Sequence, residues 1–379
     1  MNILFYLTRF PGFGGIETVT EIVGCELLKR GHTITILTHK TQERPSQLAS
    51  NCPIHVFPQD KLYYCKKNMQ FAESIVEGIV YDAIIYQDSY APSEKIVCHI
   101  SHKYNIPLYV FEHNTPLNLV QSRKMHRCSN IPLMLWRKFY AYPMEDRKYQ
   151  RRRKLLLDTC TKYVLLSKYF KDDLLYVMGG DVDTNKMAYI NNPIEYKPLE
   201  SSKLVEKENI VLCVCRLESV KRVNLMLDMW KKIGVKDWRF VILGDGTQRK
   251  LLEEKVSTEN ITNVEFVGYT DPQNFYEKAK VFWMTSQFEG WGLTLIEAMQ
   301  KGCVPIAYDT FSSVHDVISS SDVGFVVDNL DESGFIGKSL LLMTDRSLYE
   351  TKANNGINYA AKYNVNNIVN EWIALINIE

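Results

Sequence analysis

The sequence predicts an α/β protein of two similar halves, each a parallel sheet with helices on both faces. Three observations carry this. Short apolar runs alternate with longer amphipathic stretches almost throughout, the pattern of repeated βαβ units. The alternation breaks once, over 185–209, and then restarts. The chain has 379 residues, more than one hydrophobic core ordinarily serves, so two domains are expected.

The elements follow in order. "NILFYL" (2–7) is a first strand, and the next stretch carries Ile16, Val19, Val23 and Leu27 at helical spacing. "HTITILT" (32–38), "DAIIYQ" (82–87), "IPLYVFE" (106–112) and "KYVLLS" (162–167) continue the strands. Residues 185–209, with Pro193, Pro198 and mixed charges, read as a linker. Strands resume at "IVLCVCRL" (210–217), "WRFVILG" (238–244), "VEFVG" (264–268), "VFWMTS" (281–286), "VPIAY" (304–308) and "GFVVD" (324–328). Ile368, Val369, Trp372, Ile373 and Ile376 mark a final amphipathic helix.

Composition narrows the class. A hydrophobic share of 46% with 23% charged residues reads as soluble and globular. No segment reaches the ~20 uninterrupted apolar residues of a spanning helix, and "MNILFYLTRF" reads as a strand rather than a secretory leader. Nine cysteines without a CxxC pair point to a reducing, cytoplasmic setting. Cys213 and Cys215 share one strand face, but no histidine or further cysteine sits at ligand spacing, so no metal is expected there.

In open α/β sheets ligands bind beyond the carboxyl ends of strands, so the loops after strands are the places to search. "TRFPGFGGIETV" (8–19) sets Gly14 and Gly15 before a helix whose free N–H groups favour anions, without the G-x-G-x-x-G dinucleotide spacing. His113 closes a strand in "EHN", where an imidazole serves either structure or hydrogen-bonding and acid/base work. Arg216 and Lys221 in "RLESVKR" are cations by an expected helix start, a place that disfavours them unless an anion is present. "QFEGWGLTLIEAMQKG" (287–302) puts Glu289 and Glu297 on either side of Gly292 and of the helix-opening residues Leu293, Thr294 and Leu295. Two hydroxyl-accepting carboxylates flanking a phosphate-binding helix start match a nucleotide sugar.

With those segments in order, the chain resembles the retaining glycosyltransferases of family 4, with the GT-B fold. The resemblance is strongest in "VCRLESVKR", "VILGDG", "VEFVGYT" and "SQFEGWGLTLIEAMQKGCVPIA", and extends to "GFGGIET", "EHN", "YVLLSKYF" and "INNPIE". It implies two Rossmann-like domains facing a central cleft: an acceptor-binding domain over 1–195, joined by a returning helix at 362–379, and a nucleotide-sugar domain over 196–361. It implies that Glu289 contacts the donor sugar and Glu297 the ribose. Arg216, Lys221 and the backbone at Leu293–Leu295 would hold the diphosphate. Gly14, Gly15 and His113 would lie by the phosphate or sugar, and Gly268 and Tyr269 by the base. The residue before Arg216 is usually glycine in this family and here is Cys215, which bears on that loop's shape. The resemblance further implies no cofactor and no metal; "DVD" (181–183) reads as a turn, not a metal triplet.

The expected activity is transfer of a sugar, with retention, from a nucleotide-diphosphate sugar, UDP-linked ahead of GDP-linked, to a glycan or lipid-linked acceptor in bacterial polysaccharide or glycolipid assembly. Two alternatives stay open: a sugar-nucleotide epimerase of similar fold, and a non-catalytic nucleotide-sugar or membrane-binding module. Residues 121–155 hold eleven Lys/Arg against Glu145 and Asp146, interleaved with aromatics over 123–154. That stretch reads either as a contact with anionic membrane, at the inner face of the cell membrane, or as a solvated helix. No nucleic-acid motif accompanies it.

Overall fold

The structure, a computed structural model, describes residues 1–59, 63–87, 92–125, 131–180, 182–320 and 322–377. Every apolar run read as a strand forms one, because β-branched and aromatic side chains pack well on a sheet buried from both faces. The chain divides into two units, one of Met1–Pro193 with the segment from Val365 onward, the other of Ile194–Asn364.

The first unit holds β1 (Asn2–Arg9), β2 (Thr33–Lys40), β3 (Ile54–Val56), β4 (Ala83–Tyr86), β5 (Leu108–Glu112), β6 (Lys162–Leu165) and β7 (Met187–Tyr189). They form one sheet in the order β3-β2-β1-β4-β5-β6-β7, parallel at every pairing. The C-terminal helix, Val365–Asn377, buries Ile368, Val369, Trp372 and Ile376 in this unit. Trp372 stacks on Phe111 of β5 at 4.0 Å between centroids and on Phe5 of β1 at 6.1 Å. Arg30 fixes the helix by donating to Asn370 at 2.6 Å and Asn366 at 3.0 Å.

The second unit holds β8 (Glu208–Val214), β9 (Arg239–Leu243), β10 (Val264–Gly268), β11 (Ala279–Met284), β12 (Val304–Asp309) and β13 (Phe325–Asp328). Their order is β10-β9-β8-β11-β12-β13, again all parallel. Its core gathers Trp230, Phe240, Trp283 and Phe335, with Trp283 5.3 Å from the rings of both Phe240 and Phe335.

Two strands were not expected. β3 and β7 are three-residue edge strands with half-exposed faces, so neither carries an apolar run. The 185–209 stretch is therefore not all linker: Met187 opens β7, paired with Tyr163 of β6, and β8 begins at Glu208. Both sheets reverse their direction of winding once, between β1 and β4 and between β8 and β11. Loops after strands diverge at such a point and leave a crevice, the usual ligand position in this architecture.

Candidate active site

In the second unit the reversal point lies between β8, which leads to Arg216 and Lys221, and β11, which leads to Glu289. The loop after β8 is clamped by its neighbours: Cys215 N–H donates to Leu243 O at 3.1 Å and Leu217 N–H to Asp245 O at 2.9 Å. A Cβ at Gly244 would collide with the Cys215 carbonyl, and one at Gly246 would come within 2.5 Å of Leu217 O. That close approach explains "GDG". Cys215 itself is not among the residues of positive φ, so the loop asks for no glycine there. Its Sγ lies 3.6 Å from that of Cys213.

The cations precede the next helix rather than opening it. Ser219–Lys221 is a 3₁₀ turn, Arg222 takes φ 53°, and the helix begins at Val223. The end of β11 pins this turn: Thr285 Oγ1 donates to Lys221 O at 3.0 Å, and Gln287 N–H to Val220 O at 2.7 Å. Lys221 Nζ then donates to Glu289 Oε1 at 2.5 Å, and Ser286 Oγ donates to the same oxygen at 2.5 Å. Arg216 is exposed and joins no ion pair among the described residues.

Gly292 caps the helix Leu293–Gln300 with φ 89° and ψ 39° and supplies no side-chain cap. Only glycine adopts this region without strain. Leu295 N–H donates to Gly292 O at 3.0 Å, so it is not open to a phosphate as expected. Leu293 and Thr294 keep the free N–H groups of the helix start. Glu297, one turn in, accepts from Tyr276 Oη at 2.9 Å on Oε2. Burial pushes its carboxyl up, the Tyr276 bond opposes that, and Asp271 adds to it. Gly268 ends β10, its carbonyl accepting from Gly244 N–H at 2.8 Å, while Tyr269 beyond it is 90% exposed. The structure thus brings Lys221 and Glu289 together, sets Glu289 four residues before a helix start that also carries Glu297, and leaves Arg216 and Tyr269 at the surface.

In the first unit, Gly14 caps the helix Gly15–Lys29 without a side chain. Arg9 braces the loop, donating from Nε to Glu17 Oε1 at 2.7 Å and from Nη2 to Phe13 O at 2.7 Å. His113 is buried after β5. Its Nδ1 meets Asn192 Oδ1 at 3.2 Å and its Nε2 meets Gln87 Oε1 at 3.0 Å. Burial lowers its pKa to about 4, so the imidazole is neutral near pH 7. A neutral ring donates from one nitrogen only, and the unpartnered Gln87 Nε2 would serve the other with the amide turned.

The basic stretch is not one surface. Arg123 pairs with Glu145 and Asp146, each at 2.7 Å. Arg152 Nε lies 3.1 Å from Glu94, and buried Arg153 pairs with buried Glu112, which also accepts from Tyr163 Oη at 2.6 Å. A five-residue π segment, Arg137–Ala141, joins the helices Ile131–Trp136 and Tyr142–Thr159. Around it Trp136, Phe139, Tyr140 and Met144 are exposed. Arg127 of this stretch and Asp181 of "DVD" lie outside the described residues. Among the described residues no helix is long and apolar enough to cross a membrane, and no three His, Cys, Asp or Glu are grouped to hold a metal ion.

Sequence reading missed Gln87, Asn192, Ser286, Tyr276 and the Arg9–Glu17 brace. Gln87 follows β4 directly and Ser286 lies two residues past the end of β11, the position rule that located the other candidates. Tyr276 and Asn192 carry no such mark, because only tertiary packing brings them to Glu297 and His113.

The comparisons bear on the family and the fold. A profile described as Glycosyltransferase Family 4 matches residues 13–197, and one described as Glycosyl transferases group 1 matches residues 197–362. An uncharacterized glycosyltransferase of Haemophilus influenzae is 23% identical over 99% of both chains. A Campylobacter jejuni alpha-1,4-N-acetyl-D-galactosaminyltransferase, whose name gives a PP-undecaprenol-linked glycan as acceptor, is 31% identical over 45% of this chain and 48% of its own. A structure of Anabaena HepE in complex with UDP superposes with a TM-score of 0.76 at 16% identity, covering both chains fully. With two parallel sheets of this order and both profiles spanning 13–362, the chain belongs to the family 4 type of glycosyltransferases with the GT-B fold.

Proposed function

We propose that the protein transfers a sugar, with retention and without a metal ion, from a UDP-sugar to a hydroxyl of a glycan or lipid-linked glycan. One observation carries the reading: a half-buried Lys221–Glu289 ion pair joins the loops after β8 and β11, the strands at the reversal point of a doubly wound sheet, and Glu289 lies four residues before the helix start at Leu293. The UDP complex of HepE and the acceptor named for the Campylobacter relative support the donor and acceptor classes.

Without a donor the lysine and the glutamate neutralise each other. A diphosphate on the helix start draws Lys221 away and frees Glu289 for sugar hydroxyls. Arg216 joins from the surface as a second cation on the diphosphate. The acceptor oxygen then bonds to the anomeric carbon as the bond to the diphosphate breaks. The electron pair goes to the leaving phosphate oxygen, which takes the acceptor's proton from the same face. Lys221, Arg216 and the two N–H groups stabilise the developing charge, the work a metal ion would otherwise do. His113, neutral and bonded on both sides, serves as a hydrogen-bonding group rather than a proton carrier. Contact with the inner face of the membrane would come from the exposed face of the long helix at 131–159.

The test compares Glu297→Ala with Glu289→Ala. The first should weaken UDP binding in calorimetry; the second should spare UDP binding but cut transfer. Unchanged affinity and turnover in both would overturn the reading. Donor consumed without any acceptor would favour the epimerase instead. Transfer should persist in excess chelator; loss restored by manganese would remove the metal-independent mechanism.

A further inference from the structure

Tyr276 sits in the short helix Gln273–Lys278 and is fully buried. Its carbonyl is held by two buried donors, Lys207 Nζ at 2.8 Å and Cys303 Sγ at 3.1 Å. The same two reach Ala279 O, at 2.5 and 3.1 Å. The two ammonium bonds, with the single Cys303 S–H shared between the same two carbonyls, fix the join between the helix and β11, and with it the aim of the Tyr276 hydroxyl. That hydroxyl donates to Glu297 Oε2 at 2.9 Å.

Among the described residues named around Glu297, the others turn to different partners. Tyr196 meets the Tyr276 ring edge-on at 6.3 Å, and its hydroxyl faces Asp271 Oδ1 at 3.5 Å. Asp271 is a like charge. Lys301, one turn further along the helix of Glu297, pairs with Glu277 at 2.6 Å and lies over the Tyr196 ring at 5.9 Å. Tyr276 thus occupies Oε2, and no bond to Oε1 is seen among the described residues.

The geometry points to Tyr276 as the positioning residue that aims Glu297 and keeps it ionised for nucleotide binding. This rests on reading Glu297 as a contact to the ribose hydroxyls. A carboxylate accepts two hydroxyls well, whereas a protonated acid gives up part of that capacity. Burial and Asp271 favour the protonated form, and the Tyr276 hydrogen bond opposes both. Without it the carboxyl titrates higher, and affinity should fail first at the acid end.

The experiment measures UDP affinity by calorimetry from pH 5.5 to 8.5 in wild type, Tyr276→Phe, Glu297→Gln and the double variant. Taking ratios to wild type at each pH cancels the nucleotide's own titration. Tyr276→Phe should bind UDP about 10-fold more weakly at low pH, with the ratio closing as pH rises. The double variant should match Glu297→Gln alone. Should the phenylalanine variant fold poorly, 3-fluorotyrosine at 276 keeps the shape and donates more strongly, and should shift the affinity curve to lower pH. A pH-independent ratio, or an extra loss in the double variant, overturns the proposal while leaving Glu297 a nucleotide contact. A Glu297→Gln variant with wild-type affinity sinks the reading of Glu297 itself.

Discussion

The strand ends of the two units handle charge in opposite ways. After β5, Glu112 is fully buried, pairs with Arg153 and accepts from Tyr163, and His113 is bonded through both ring nitrogens. After β8 and β11, Lys221 and Glu289 form one half-buried ion pair, Arg216 is exposed, and a helix start keeps free N–H groups. The first arrangement pairs its charges within the buried interior. The second has groups still able to exchange partners with a ligand. A charge paired inside the core holds the fold; a charge with one accessible, replaceable partner is free to act.

The largest expected effect sharpens that contrast. Arg153→Met would leave the buried Glu112 carboxyl without its cation, costing about 3–5 kcal/mol of stability, measurable by urea unfolding. Lys221→Met breaks a more accessible pair and should cost of order 1 kcal/mol. Equal losses would erase the distinction between the two regions.

His113 comes next. Its pKa lies at about 4 in the fold against an ordinary 6.5, so the unfolded chain binds its proton more readily. Its contribution to stability is complete above pH 6.5 and is lost as pH falls towards 4, reaching about 3 kcal/mol in total. His113→Gln should flatten the unfolding free energy across that window. A slope unchanged by the substitution would show the imidazole to be solvated.

In the second unit the effect should appear in rate. Lys221→Met and Arg216→Met should each lower turnover on the order of 10²-fold, in the range of other preorganised charge stabilisers, with melting temperatures close to wild type. Full turnover in both would mean that the diphosphate is stabilised elsewhere.

How much of this was legible in the sequence follows the same divide. The sheet strands, the reversal-point loops and the carboxylates around Gly292 are local patterns, with apolar runs, a glycine cap and fixed spacings along one segment. The edge strands β3 and β7 were not legible, because three half-exposed residues leave no periodic signal. Nor was the neutralisation of Arg152 and Arg153, whose acids stand 58 and 41 residues earlier in the chain, at Glu94 and Glu112. Charge density along a sequence reports how many cations there are, not which remain free. For Leu295 the miss was finer: the first turn closes one residue earlier than the motif implied.

The smallest effect tests the comparison inside a single helix. In Tyr142–Thr159, Arg152 and Arg153 face inward to acids, while Arg147, Lys148 and Arg151 are exposed and form no ion pair among the described residues. Arg147 and Arg151 line a hollow of about 210 Å³; Trp136, Phe139 and Tyr140 are exposed in the segment that leads into this helix, and Met144 is exposed in its first turn. Cations beside exposed aromatics suit an anionic bilayer surface, with the rings at the headgroup level. Vesicle binding should therefore fall as salt screens the attraction. Replacing Arg147, Lys148 and Arg151 with glutamine should weaken it by roughly 1 kcal/mol per charge, with unfolding and UDP affinity unchanged. The substitution of Arg151, Arg152 and Arg153 together would mix this effect with a folding defect, since two of the three hold buried acids. Equal pelleting with anionic and neutral vesicles would leave these cations as ordinary solvated charges, and would confine the ligand-facing class to the loops after β8 and β11.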